Sequence, residues 1–193
     1  MPKPPLLSII VLSSDRLDLL QTTTLSLISR MTYPHWELII YNHQGSHEEG
    51  LIKLINQASG EYLFNCEDDW VFIEKGDWVQ GAIAILDEHP EVGMIKLRKD
   101  GDGQRCFGIL ETINYGFITA DDEYSNNPFI ARTADIKKVL AGVEKPMELY
   151  IEKKMLASFK KTGLKIAKLS GCYNRGVCTH IGWGRQVGKR KWS

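Results

Sequence analysis

Short apolar runs that alternate with amphipathic segments constrain this chain more than any other feature. Leu6–Leu12 is almost continuously apolar, the pattern of a strand covered on both faces. Leu17, Leu20, Thr24, Ile28 and Met31 follow at spacings of three and four, as on one face of a helix. Ser14 or Asp15 stands where that helix would be capped. Tyr33-Pro34 ends it, because proline disfavours helical geometry in the residue before it. Glu37–Tyr41 reads as a second buried strand. Ser46 then caps a helix with Glu48 and Glu49 in its first turn, where the helix dipole favours them. Its inward face is Leu51, Leu54, Ile55 and Ala58, with Gly60 as the stop. Tyr62–Cys66, a helix over Asp77–Glu88 with Trp78, Ala82, Ile83 and Leu86 inward, and Val92–Leu97 continue the alternation. The pattern implies an α/β fold, a Rossmann-like and mostly parallel sheet with helices on both faces.

Beyond Lys99 the pattern loosens. Gly101, Gly103, Gly108 and Gly116 punctuate Cys106–Leu110 and Tyr115–Ile118, which reads as a hairpin or irregular structure, a small antiparallel annex. Phe129–Ala131 is a further short strand, and Thr133 caps Ala134–Leu140. Glu148–Lys161 is a helix carrying Leu149, Glu152, Leu156 and Phe159, and Lys165–Leu169 returns as a strand. No repeat or low-complexity linker divides the 193 residues, so a single domain is expected.

With 43% hydrophobic and 25% charged residues, the chain has the means to bury a sizeable core. Its 24 basic and 24 acidic residues balance, which argues against a nucleic-acid partner. No apolar run approaches the roughly 20 residues of a membrane helix. The N-terminal Met1–Pro5 lacks a cleavage site, so the following apolar run reads as a strand rather than a signal peptide. Cys66, Cys106, Cys172 and Cys178 show no metal spacing, and reduced thiols of a cytoplasmic protein are expected, with Cys172–Cys178 the pair to check.

Ligands of parallel sheets bind beyond the carboxyl ends of the strands. At one such end stand Glu67, Asp68 and Asp69, directly after the Tyr62–Cys66 strand. Adjacent carboxylates repel one another unless a cation or hydrogen-bond donors offset them. Hard oxygen donors suit Mg²⁺ or Mn²⁺, which commonly also hold a substrate's phosphates. A metal–diphosphate site is the reading these residues favour.

Three pieces in order, Leu7–Leu12, Thr32–Ile40 and Gly60–Phe64 ending in Glu67-Asp68-Asp69, resemble the family 2 glycosyltransferases. The resemblance covers residues 6–100 well and the rest loosely, and implies the glycosyltransferase A fold. It implies a metal-dependent, inverting transferase that moves a hexose from a nucleoside diphosphate sugar, a UDP- or GDP-sugar, to a hydroxyl acceptor on a glycan, glycoprotein or glycolipid. Residues 1–100 would then be the nucleotide-sugar half and 101–193 the acceptor and catalytic half, with membership in a longer multidomain transferase as the alternative. The acidic motif makes Asp69 the leading metal ligand, with Glu67 beside it and Asp68 facing the ribose or supporting the cluster. A late histidine, His180, would complete the metal shell. Ser13, Asp15 and Arg16 match the nucleotide-contacting loop, although Asp15 and Arg16 would serve equally as caps of the first helix. Asn42 stands where the family usually has an aspartate that reads the base. Glu152 matches the general base, with Glu148 its competitor one turn earlier, and Arg185 with Lys189 and Arg190 would close over the phosphates. Two other readings stay open: a non-catalytic nucleotide-sugar or carbohydrate-binding module, and a sugar nucleotidyltransferase. The latter is disfavoured because Ser13–Arg16 contains no glycine.

Overall fold

The computed structural model describes residues 3–42, 46–97, 109–113, 116–121, 124–126, 128–143, 151–170 and 177–182. The first half runs β1 (Leu7–Ser13), α1 (Leu17–Arg30), β2 (Trp36–Asn42), α2 (His47–Gln57), β3 (Tyr62–Glu67), β4 (Trp70–Phe72), α3 (Trp78–Glu88) and β5 (Val92–Lys96). The second half adds β6 (Ile109–Ile113), β7 (Gly116–Asp121), β8 (Phe129–Arg132), α4 (Thr133–Ala141), α5 (Ile151–Thr162), β9 (Lys165–Ser170) and β10 (Cys178–His180).

One sheet holds eight strands in the order β2-β1-β3-β8-β5-β9-β7-β6. Among its first six, β2, β1, β3, β5 and β9 run in one direction and only β8 runs against them. Successive side chains of a strand face opposite ways, and the core divides accordingly. Ile9, Val11, Phe64 and Cys66 pack towards Leu27 of α1 and Trp78, Ala82 and Leu86 of α3. Ile10, Leu12 and Leu63 pack towards Leu54 of α2, Ile136 of α4 and Met155 and Phe159 of α5. Each such aliphatic or aromatic side chain contributes about 1.5–3 kcal/mol when fully buried.

The helix over residues 17–30 forms, but its inward face is Leu19, Thr23 and Leu27. Leu17 and Ile28, expected inside, are 67% and 41% exposed. A polar demand adds to the burial of Leu19 and Leu27 on this face. The Thr23 hydroxyl donates to the Asp68 carbonyl at 2.7 Å and accepts the Trp70 N–H at 3.1 Å, which hydrophobic periodicity alone cannot reveal. Neither Ser14 nor Asp15 caps α1; Arg16 holds that position without a side-chain cap bond, after Asp15 turns the chain at a φ of 58°. Arg132, not Thr133, is likewise the N-terminal cap residue of α4. Ser46 occupies the cap position of α2 but makes no side-chain cap bond.

β2 is not a buried strand: it lies at the sheet edge, and its residues are half-buried or exposed. Gly60 does not stop α2, which ends at Gln57. Its role is close approach, since a Cβ there would stand 2.5 Å from the Leu6 carbonyl oxygen. The β6–β7 hairpin joins the sheet through β9. A separate small antiparallel sheet pairs β4 with β10, two strands of three residues that are too short to show a period in sequence. Cys66 and Cys178 carry buried thiols, while Cys172 lies outside the described residues. No described helix is long and apolar enough to cross a membrane.

Candidate active site

β3 delivers its three carboxylates to three different environments. Asp68 is fully buried. Its Oδ2 accepts the Ser13 hydroxyl at 2.8 Å, the Ser14 N–H at 3.1 Å and Arg16 Nε at 3.3 Å, while its Oδ1 accepts Arg16 Nη2. The Asp68 N–H donates to the Leu12 carbonyl at 3.1 Å, tying the turn to β1.

Asp69 is held differently. Its Oδ2 accepts Arg16 Nη1 at 2.9 Å and lies 3.2 Å from His180 Nε2. Its Oδ1 is buried with no hydrogen-bond partner. The β4–β10 pairing makes this meeting possible, because it sets His180 opposite Trp70, with ring centroids 5.1 Å apart. The Ile181 N–H then donates to the Asp69 carbonyl at 2.8 Å. Gly182 completes the cradle: a Cβ there would stand 2.4 Å from Asp69 Oδ2 and 3.0 Å from His180 Nε2. Partial burial works to lower the Arg16 pKa, but the charges of Asp68 and Asp69 outweigh it, and the net shift is upward.

On the opposite face of the sheet, Glu67 Oε1 lies 2.8 Å from His47 Nε2, in the first turn of α2. Burial works to lower the His47 pKa, but Glu67 raises it, helped by Glu152 and Glu48, and the net shift is upward. Glu152, in the first turn of α5, accepts the Asn126 N–H at 2.8 Å. The Asn126 carbonyl accepts Asn65 Nδ2 at 2.9 Å. Tyr124 Oη and Asn126 Oδ1 are buried without partners. Burial, then the charges of Glu152 and Glu67, push the Tyr124 hydroxyl well above its ordinary pKa.

The structure therefore gathers Ser13, Arg16, Asp68, Asp69 and His180 at one place. It does not bring Glu67 to Asp69 and His180, because strand alternation turns Glu67 to the other face, where it meets His47. Asp15 and Asn42 bond each other at the exposed rim, Asn42 Nδ2 to Asp15 Oδ1 at 2.6 Å and the Asp15 N–H to Asn42 Oδ1 at 2.8 Å. Glu148, Arg185, Lys189 and Arg190 lie outside the described residues. Thr23, His47, Tyr124, Asn126 and Gly182 were not singled out by the sequence. Thr23 gave one signal, as the middle of a threonine triplet within a helical segment.

Among the described residues, no three His, Cys, Asp or Glu groups converge as a metal cage. Asp69 and His180 offer two donors, one carboxylate oxygen being buried without a partner. This fits an ion held by few protein groups and completed by substrate phosphates, as Mg²⁺ commonly is, with the imidazole better tolerated by Mn²⁺.

No protein-family model and no curated protein sequence matches the chain. Solved structures do. The mannosyltransferase PcManGT from Pyrobaculum calidifontis, in complex with GDP-Man and Mn²⁺, matches with a TM-score of 0.63 at 14% identity, over 98% of this chain and 59% of that one. GalNAc-T7 with UDP, GalNAc and Mn²⁺ matches with a TM-score of 0.65 at 9% identity, over 92% of this chain and 44% of that one. Residues 1–349 of S. aureus TarS match with a TM-score of 0.58 at 16% identity, over 85% of this chain and 58% of that one. The fold is that of the A-type glycosyltransferases. In this A-type fold the Asp69–His180 pair lies just past the carboxyl end of β3, where sheets of this kind bind their ligands. The chain spans about half the length of the solved proteins it matches.

Proposed function

We propose that this chain is a metal-dependent, inverting glycosyltransferase that moves a hexose from a nucleoside diphosphate sugar to a hydroxyl of a glycan acceptor. The observation that carries the reading is Asp69: one oxygen is buried without a partner while the other faces His180 and Arg16. The matched mannosyltransferase and GalNAc-T7 were solved with GDP-Man or UDP and Mn²⁺, which supports a UDP- or GDP-sugar as donor. Asp69 and His180 would hold Mn²⁺ or Mg²⁺. Bound there, the ion supplies Lewis-acid neutralisation of the charge that develops on the departing diphosphate.

The chain's own residues divide the remaining work. Asp68, locked by Ser13, Ser14 and Arg16, fixes the turn that presents Asp69. Ser13, Asp15, Arg16 and Asn42 would face the nucleotide, the last three with Arg185 supplying polar and basic contacts to ribose, base and phosphates. Glu152 accepts the proton of the acceptor hydroxyl, its carboxylate oriented through the Asn126 N–H. Glu148 is the competing base. In this reading residues 1–100 are the donor half and 101–193 the acceptor half of one transferase domain.

A second reading, a binding module without turnover, is favoured by one observation. The Glu152 Oε1 is already occupied by the Asn126 N–H at 2.8 Å, so one of its two oxygens is taken before an acceptor hydroxyl arrives. Thermal melting with UDP, GDP, dTDP and CDP, each with and without Mn²⁺, tests the site. One nucleotide should raise the melting temperature only with the metal, by the equivalent of about 2.7 kcal/mol at a hundredfold excess over Kd. No shift with any nucleotide would overturn both readings. Hydrolysis of the matching sugar donor separates transferase from binding module.

A further inference from the structure

Arg16 links the two buried carboxylates at the site: its Nε and Nη2 go to Asp68 and its Nη1 to Asp69 Oδ2 at 2.9 Å. The Asp68 oxygens are occupied by donors from Ser13, Ser14 and Arg16, so this carboxylate has little left to offer a metal ion. Asp69 keeps Oδ1 open, but its Oδ2 is shared between Arg16 and His180. A positive guanidinium therefore sits on the same Asp69 carboxylate that would hold a divalent ion.

Resting on the metal–diphosphate reading above, we propose that Arg16 is a resident counter-cation. It competes with the divalent ion for Asp69 and yields when a nucleoside diphosphate offers a replacement anion. Three features support the exchange. The Arg16 side chain is 20% exposed, so it has a path towards an arriving ligand. Asp68 keeps the Ser13 hydroxyl and the Ser14 N–H when Arg16 leaves, so it is not stranded. A diphosphate offers the same planar, charge-assisted pairing to a guanidinium that a carboxylate does. Metal and nucleotide affinities are then coupled, and by linkage each strengthens the other by the same factor.

Mn²⁺ binding, read by electron paramagnetic resonance of the free ion, tests this without reference to activity. The titrations use the native chain, Arg16→Met and Arg16→Lys, each alone and with UDP or GDP. The native chain should bind Mn²⁺ weakly alone and about tenfold or more tightly with nucleotide. Arg16→Met should bind Mn²⁺ alone about tenfold more tightly than the native chain and gain correspondingly less from nucleotide. Arg16→Lys, which keeps the charge but loses the fork, should fall between them and carries the test should Arg16→Met not fold. If both variants bind Mn²⁺ and nucleotide as the native chain does, the inference about Arg16 falls and the metal–diphosphate reading stands. If no form binds Mn²⁺ under any condition, both fall.

Discussion

The two faces of the sheet meet opposite treatment at the end of the same strand. On the α1 side, Asp68 is buried inside a web of donors from Ser13, Ser14 and Arg16, and Thr23 braces its backbone. On the α2 and α5 side, Glu67 leans on a half-buried His47, and Tyr124 Oη and Asn126 Oδ1 are buried without partners. A buried polar group without a partner costs about 1–3 kcal/mol, so Asp68 is supplied with donors while Tyr124 and Asn126 store a cost. Asp69 stands between the two, held through one oxygen and open through the other. The difference separates residues that keep the turn in place from those left ready for a ligand.

The largest effect that would break this contrast is at Asp68. Asp68→Ala should cost about 3 kcal/mol in urea unfolding, because it leaves Arg16 without its main partner. The figure lies at the low end for a broken buried pair, since Arg16 keeps some solvent. A loss below about 1 kcal/mol would show that the web does not hold the fold. Asp69→Ala should behave in the opposite sense. Nucleotide-dependent Mn²⁺ binding should weaken at least about 30-fold, equivalent to about 2 kcal/mol, with a stability change of no more than about 1 kcal/mol. Unchanged Mn²⁺ binding would remove the metal-site reading. Tyr124→Phe sharpens the other face: removing a buried hydroxyl without a partner should stabilise the chain by about 1 kcal/mol in the same urea assay. A loss of stability would mean that the hydroxyl is satisfied in solution.

The smallest effect concerns His47. Its folded pKa is raised above the ordinary 6.5. The stability it adds is therefore fully present below about pH 6.5 and lost as pH rises through the folded value. The side chain is 38% exposed, so solvent screening limits the effect to a few tenths of a kcal/mol. Unfolding at pH 6 and pH 8 should show a small decline in the native chain that is absent from His47→Gln. Equal declines in both would place the pH dependence elsewhere.

Much of the first half was legible because its strands and helices are long enough to show their periods. β1, α2, β3, α3 and β5 all fall within a residue or two of the expected positions. β4 and β10 were not, because three residues carry no period and their partner lies more than a hundred residues away in the chain. The inward face of α1 also differs from the apolar spacing, because Thr23 is held inward between the buried Leu19 and Leu27 by two polar contacts. The half-exposed state of β2 follows from its place at the sheet edge, which no local pattern records.

The layered α/β architecture and the place of the acidic turn are written in the order and spacing of the residues, since apolar periodicity is a local property of the chain. Which carboxylate does what emerges once the chain is folded. The pleat turned Glu67 away to His47, Arg16 folded back across Asp68 and Asp69, and β10 carried His180 to within 3.2 Å of Asp69. Those are encounters between residues far apart in the chain. They are fixed by strand pairing and by the need of each buried charge for a partner, neither of which a run of three acidic residues contains.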